Sequence, residues 1–222
     1  MTTLPLEHAD QIRKSSPRHG SVRRPVRAWQ ERHPRPDQQE LAIDVYFDFT
    51  CPYSRRAGRW WRELGEPANW RPFLLREINR DDDGPAEWDR ENALSHVSVL
   101  ALALHESVQT AGGDVSSYRW AVMDMFENGQ VDIHALHQHA TAAVGSELDD
   151  EQVRRGLAGV ARSHRDALAL AVFGTPTLVD GDAAAYLKLV EQPSPERVRA
   201  VFSAVDAVLH GAPEVAEIKR PT

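Results

Sequence analysis

Apolar residues fill almost every position of LAIDVYFDF (residues 41–49). Its β-branched and aromatic side chains predict a strand buried on both faces, as in the centre of a parallel sheet. At Pro52 the period changes. In PYSRRAGRWWREL, Ala57, Trp60, Trp61 and Leu64 share one helical stripe, while Arg55, Arg59 and Arg62 lie largely on another. Gly65 and Pro67 end that helix. NWRPFLLREIN (69–79) reads as a second strand with Pro72 at an edge or bulge, and RDDDGP as a solvated turn. From 86 to 171 the pattern is helical, with helices expected over 86–111, 115–128, 132–144 and 149–171, punctuated by Gly112-Gly113, Gly129 and Gly145. GTPTLVDGD then returns to strand, with Asp180-Gly181 as a hairpin turn. AAYLKLV predicts a short strand. SPERVRAVFSAVDAVLHG predicts a closing helix capped by Ser194, with Pro195 at its first position. The order is strand, helix, strand, helical block, strand, strand, helix, with no internal repeat. That is an α/β chain with a core over 41–79 and 172–212 and an insertion over 80–171.

The opening forty residues stand apart. They carry eight Lys/Arg against five Asp/Glu, are rich in Pro, Arg, Gln and His, and have no sustained periodicity. They read as a basic, poorly ordered tail. Mixed charge and a lone Trp29 make this tail a poor nucleic-acid or membrane signal. The net charge of the whole chain is -7, which disfavours polyanion binding. No run of about eighteen apolar residues is present to span a membrane. The start lacks the apolar core of a secretion signal. With one cysteine there is no internal disulfide, and a cytoplasmic location is expected.

That cysteine, Cys51, sits between the first strand and the helix that starts at Pro52. Proline suits a first turn because its missing N–H has no helical acceptor there. The unpaired N–H groups of the turn and the positive end of the helix dipole face the sulfur and favour the thiolate, the reactive form. Arg55 and Arg56 lie one turn on and add positive charge. Ser54, three residues along, is expected on the same face, within reach to donate a hydrogen bond to the sulfur. The alternative is a cysteine that serves only as a small buried apolar residue.

FDFTCPYS resembles the active-site stretch of thioredoxin-fold proteins of the DsbA type, where an apolar strand delivers Cys-Pro-x-Cys to a helix N-terminus. VFGTPTLVDGD resembles their second motif, a Gly-x-Pro that opens a β-hairpin. The resemblance implies a thioredoxin-like fold with a helical domain inserted between the second and third strands. It also implies that Pro176 is cis and that Thr175 offers backbone groups to a thiol or disulfide substrate. Pro52, Tyr53 and Arg55 are expected among the substrate-binding residues, with Tyr53 at the rim, and Arg55 and Arg56 either attract an anionic thiol or only solvate the helix face. Position 54 departs from the dithiol pattern: it is serine. Cys51 and Ser54 then form a monothiol site, and a mixed disulfide on Cys51 must be resolved by an external low-molecular-weight thiol such as glutathione or mycothiol. The stretch Asp48-Phe-Thr-Cys-Pro-Tyr53 with Gly174-Thr-Pro-Thr177 is also similar to kappa-class glutathione transferases and 2-hydroxychromene-2-carboxylate isomerases, in which a hydroxyl at this place activates a bound thiol. Three functions stay open: thiol–disulfide oxidoreductase, thiol-dependent transferase or isomerase, and a non-catalytic binding protein. The partner implied is a small thiol or disulfide; a homodimer is allowed.

Other features point to packing or solvation. His134, His137 and His139 lack a partner motif that would make them metal ligands. Trp60-Trp61 is expected to pack the first helix on the sheet. Asp81–Asp83 reads as a solvated loop. No metal is expected, and neither a phosphate-cradling glycine loop nor a GxSxG elbow occurs.

Overall fold

The computed structural model describes residues 43–212. The expected tail over 1–40 lies outside the described residues. Four strands, β1 (Ile43–Phe47), β2 (Ala68–Pro72), β3 (Thr177–Asp180) and β4 (Ala183–Tyr186), form one sheet in the order β2-β1-β3-β4. β1 pairs parallel with β2 and antiparallel with β3, and β3 pairs antiparallel with β4. Helix α1 (Pro52–Leu64) makes the crossover between β1 and β2. A one-turn α2 (Leu75–Ile78) follows β2. Then α3 (Val97–Thr110), α4 (Val115–Asn128), α5 (Ile133–Val144) and α6 (Asp150–Ala169) separate β2 from β3, and α7 (Val198–Gly211) closes the chain. A parallel βαβ unit and an antiparallel hairpin-plus-helix unit around one sheet, with a helical block between the second and third strands, is the thioredoxin-like arrangement.

Sequence accounts for the central place of β1. Val45 and Phe47 are fully buried in the larger core, with Trp60, Trp70, Leu102 and Leu104. Tyr46 points the other way, into a smaller core with Phe73, Ala167, Val172 and Val179. Apolar side chains on both faces suit only a strand covered on both sides. The predicted stripe of α1 is buried throughout: Ala57, Trp60, Trp61 and Leu64. The Trp60 indole donates to Val198 O at 3.1 Å and the Trp61 indole to Glu66 O at 2.8 Å, so both rings bury their area without stranding a donor. Truncating Trp60 to alanine would cost about 3 to 5 kcal/mol. Gly65, at φ 72, ends α1 in the left-handed conformation that glycine adopts without penalty.

The insertion packs chiefly through α3 and α6. Gly156 permits their approach: a Cβ there would fall 2.2 Å from Ala103 O. Ser107 Oγ, beside it, donates to Ala103 O at 2.9 Å and Gln152 O at 3.0 Å.

Several boundaries differ from expectation. The second strand stops at Pro72 instead of 79; Leu74 is extended and α2 begins at Leu75, whose N–H leaves the sheet for the Asp48 carboxylate. The helix expected from 86 starts at Val97. Before it lie two 3-10 turns, Glu87–Asp89 and Ala93–Ser95, and an extended His96. Here Glu87 is buried and paired with Arg76 and Arg90, so ion pairing sets the backbone path more than helical periodicity does. β4 ends at Tyr186, although the Leu187 N–H still reaches Pro176 O at 2.9 Å. At Ser194 a 3-10 turn, Pro195–Arg197, leads into α7.

Candidate active site

β1 ends at Phe47, and the four residues before α1 fold into a tight loop. Cys51 is the N-cap of α1, in extended conformation, with Pro52 as the first helical residue. The Cys51 carbonyl accepts the first helical hydrogen bond, from Arg55 N at 3.1 Å. The Tyr53 and Ser54 N–H groups have no acceptor among the described residues. They and the helix dipole give the neighbourhood of the sulfur a positive potential. Cys51 is buried, at 6% exposure.

The sulfur faces the second motif. Cys51 Sγ donates to Thr175 O at 3.2 Å, across 124 positions of chain. The Thr175–Pro176 bond is cis, and both residues are buried. Thr177 Oγ1 donates to Gly174 O at 2.8 Å and pins the loop. The Thr175 hydroxyl is buried with no partner among the described residues.

Asp48, which the sequence reading did not single out as a site residue, organises the loop. It is fully buried. One carboxylate oxygen accepts from Thr50 N at 2.8 Å and Thr50 Oγ1 at 2.7 Å; the other accepts from Leu75 N at 2.8 Å. Its carbonyl takes the Cys51 N–H at 3.1 Å. Burial pushes its pKa up, against these hydrogen bonds and the charge of Arg55, which favour the anion. A carboxylate set at the end of an apolar strand is the signal that could have found it.

Ser54 is fully buried, and its hydroxyl does not reach the sulfur. It accepts from Asp48 N at 3.4 Å. The reason is local: β1 pairing ends at Phe47, and the next N–H takes the inward-facing hydroxyl. Arg55 is likewise occupied. Its Nη1 donates to Phe49 O and Thr50 O, both at 2.9 Å, and its Nε to Glu127 at 2.8 Å. It clamps the loop to α4 from beside the cysteine. Arg56 donates to Leu189 O.

Tyr53 is half-buried beside the cysteine. The Arg56 guanidinium lies 5.7 Å and the Lys188 ammonium 4.7 Å from its ring centroid. Tyr186 of β4 packs against Gly174 and the exposed Phe173, the latter with ring centroids 5.3 Å apart. Burial chiefly, and next the charge of Cys51, raise the pKa of the Tyr186 hydroxyl. Nothing in the local sequence around Tyr186 or Lys188 marks them; only the hairpin brings them to Cys51.

The remaining candidates stay apart from this site. Among the described residues no cluster of three His, Cys, Asp or Glu side chains is placed to hold a metal ion. His134 bonds with Gln138 on α5. Asp82 is held by Arg80 and Arg90, and its carboxyl is lowered to about 2, mainly by the Arg90 hydrogen bond. A cleft of about 430 Å³ opens beside Thr50, lined also by Leu75, Arg76, Arg80, Glu87 and Ser98. No helix of the described residues is long and apolar enough to cross a membrane.

No family model matches the chain. It is 27% identical over 203 residues to the Uncharacterized protein Rv2286c of Mycobacterium tuberculosis, covering 81% of each chain. Among solved structures it is similar to reduced DsbA from Mycobacterium tuberculosis, at 16% identity and TM-score 0.47, covering 80% of this chain and 88% of that one. It is also similar to a 2-hydroxychromene-2-carboxylate isomerase, at 17% identity and TM-score 0.46, covering 79% and 100%. A third is MdbA, a thiol-disulfide oxidoreductase from Corynebacterium diphtheriae, at 17% identity and TM-score 0.46, covering 74% and 84%.

Proposed function

We propose that the protein is a monothiol thiol–disulfide oxidoreductase in which Cys51 is the nucleophile and a small external thiol completes the cycle. The observation that supports this most is the meeting of the Cys51 sulfur, at a helix N-terminus, with the backbone of the Thr175–Pro176 loop at 3.2 Å. In the first step the Cys51 thiolate attacks one sulfur of a substrate disulfide. A mixed disulfide forms, and the other sulfur leaves as a thiolate that takes up a proton. In the second step a small thiol, deprotonated, attacks the mixed disulfide and regenerates Cys51. Attack on the substrate sulfur expels Cys51 and leaves the small thiol joined to that sulfur; a second small thiol then displaces the substrate thiol, so over the whole cycle two small thiols become one disulfide and the substrate disulfide becomes two thiols. The S–H bond to Thr175 O belongs to the resting thiol; attack requires the sulfur to lose its proton and exchange that carbonyl for substrate. The cycle suits a reducing compartment such as the cytoplasm, where glutathione or mycothiol is held as free thiol.

The test is the intact mass of the folded protein after mixing with oxidised glutathione and, separately, oxidised mycothiol. The expected result is one adduct on Cys51, released by excess free thiol and absent from Cys51→Ser. An unchanged mass, with saturable binding of the reduced thiol, would replace this reading with thiol activation for transfer or isomerisation. Neither reaction nor binding would leave a non-catalytic protein.

A further inference from the structure

Lys188 is the single lysine between residues 43 and 212, in a region where arginine otherwise supplies the cations. Its position follows from the hairpin. β4 pairs with β3 through Tyr186, and Leu187 bonds to Pro176 O, so Lys188 leaves the sheet directly beyond the loop that faces Cys51. The Lys188 ammonium and the Tyr186 hydroxyl lie close enough for each to act on the other's charge. Tyr186 covers Gly174, next to Thr175. Lys188 Nζ sits 4.7 Å from the centroid of the Tyr53 ring, and Tyr53 belongs to the first turn of α1. The ammonium therefore spans the two segments that frame the sulfur.

Neighbouring charges are already engaged. Arg55 is spent on Glu127 and two loop carbonyls, and Arg56 on Leu189 O. Glu127 is shared by Arg55 and Arg59. Lys188 is exposed and forms no ion pair with a carboxylate among the described residues; its partner is Tyr53. A cation seated on an aromatic face keeps its outer N–H donors free for an anion. Phe173, 70% exposed, and Tyr186, 41% exposed, add apolar surface to the same rim.

We propose that Lys188 selects the substrate at the Cys51 site: it pairs with an anionic group, such as a carboxylate, carried by a small disulfide whose sulfur reaches Cys51. This rests on the exchange reading of Cys51. Selectivity has to be local, because the chain as a whole is acidic and repels anions at long range.

The experiment measures the rate of mixed-disulfide formation on the full chain with three simple dialkyl disulfides. These are 3,3′-dithiodipropionate, bis(2-hydroxyethyl) disulfide and cystamine, which are anionic, neutral and cationic. Each rate is divided by that of free N-acetylcysteine to remove intrinsic reactivity. Lys188→Ala is expected to lower the anionic-to-neutral rate ratio about fivefold, the upper range for one exposed ion pair. Lys188→Glu is expected to lower it further and to raise the cationic-to-neutral ratio. High salt should shrink the wild-type preference and leave the Ala variant little changed. If the three rates move in parallel in the variants, or none moves, Lys188 does not read substrate charge and the proposal is overturned while the exchange reading stands. If the wild-type chain reacts with none of the three, the exchange reading fails and the proposal fails with it.

Discussion

The Cys51 sulfur donates to the backbone carbonyl of Thr175 at 3.2 Å, so the two motifs most distant in the active-site reading meet at one hydrogen bond. The contact is made by main chain on one side and by a side chain without alternatives on the other. Any residue at 175 presents the same carbonyl, whereas only a thiol at 51 performs exchange.

A second thiol introduced one helical turn away should convert this site to a dithiol. Ser54→Cys retains the small buried side chain and gives up a long hydrogen bond from Asp48 N. Residues three apart in a helix share a face, although Ser54 now points toward Asp48. Treatment with oxidised glutathione is expected to remove both free thiols and leave no glutathione on the protein, as thiol titration and intact mass would show. Two persistent thiols would mean that position 54 is fixed on Asp48 and cannot turn to the sulfur.

The Arg55 clamp gives a prediction about stability. Its side chain, 13% exposed, bonds two loop carbonyls, whereas its partner Glu127 is 39% exposed. Arg55→Ala is expected to cost about 2 kcal/mol, from lost charged hydrogen bonds. Glu127→Ala, which removes its surface ion pairs with Arg55 and Arg59, should cost about 1 kcal/mol or less. Denaturant unfolding of both variants decides it. Equal losses would show that the carbonyl bonds contribute nothing beyond the ion pair.

The strand-to-helix step at Cys51, the α1 stripe, the helical block and the β3–β4 hairpin were legible because each is written in local periodicity or turn chemistry. What was not legible depends on charges meeting across the fold. Buried Glu87, with Arg76 and Arg90, turns a helical-looking stretch into 3-10 turns. Arg55 looked available to a substrate, but Phe49 and Thr50 present carbonyls to it. Ser54 looked like a partner of the sulfur, and the end of β1 pairing gave it another. Lys188 had no local mark at all.

Asp48 should govern both loop integrity and an acid-side pH effect. Asp48→Ala leaves the N–H groups of Thr50 and Leu75 without acceptors and is expected to destabilise by about 2 to 4 kcal/mol. Because burial raises its pKa above 3.8, the contribution of this carboxyl is complete below that value and is lost as pH rises through the folded one. Asp48→Asn has no such loss. Its stability relative to the wild-type chain should therefore improve as pH rises from about 4 to 7. A difference that stays constant across that range would deny the burial penalty.

His105 should produce the opposite slope. Fully buried among Phe47, Phe49 and Tyr118, its imidazole is lowered from 6.5 to about 4, chiefly by burial. Its Nε2 accepts from Arg119 Nε at 3.4 Å, which requires the neutral ring. The folded state excludes a proton that the unfolded chain binds. The stabilising term is thus present above pH 6.5 and lost as pH falls toward 4, roughly 3 kcal/mol in all. His164, buried and lowered to about 4 as well, adds a parallel term. His105→Gln places an amide oxygen where Nε2 accepts and cannot titrate. Its unfolding free energy, measured from pH 7 to pH 4, is expected to fall less steeply than that of the wild-type chain, with the His164 share remaining. Identical slopes would show that His105 takes up its proton without unfolding the core.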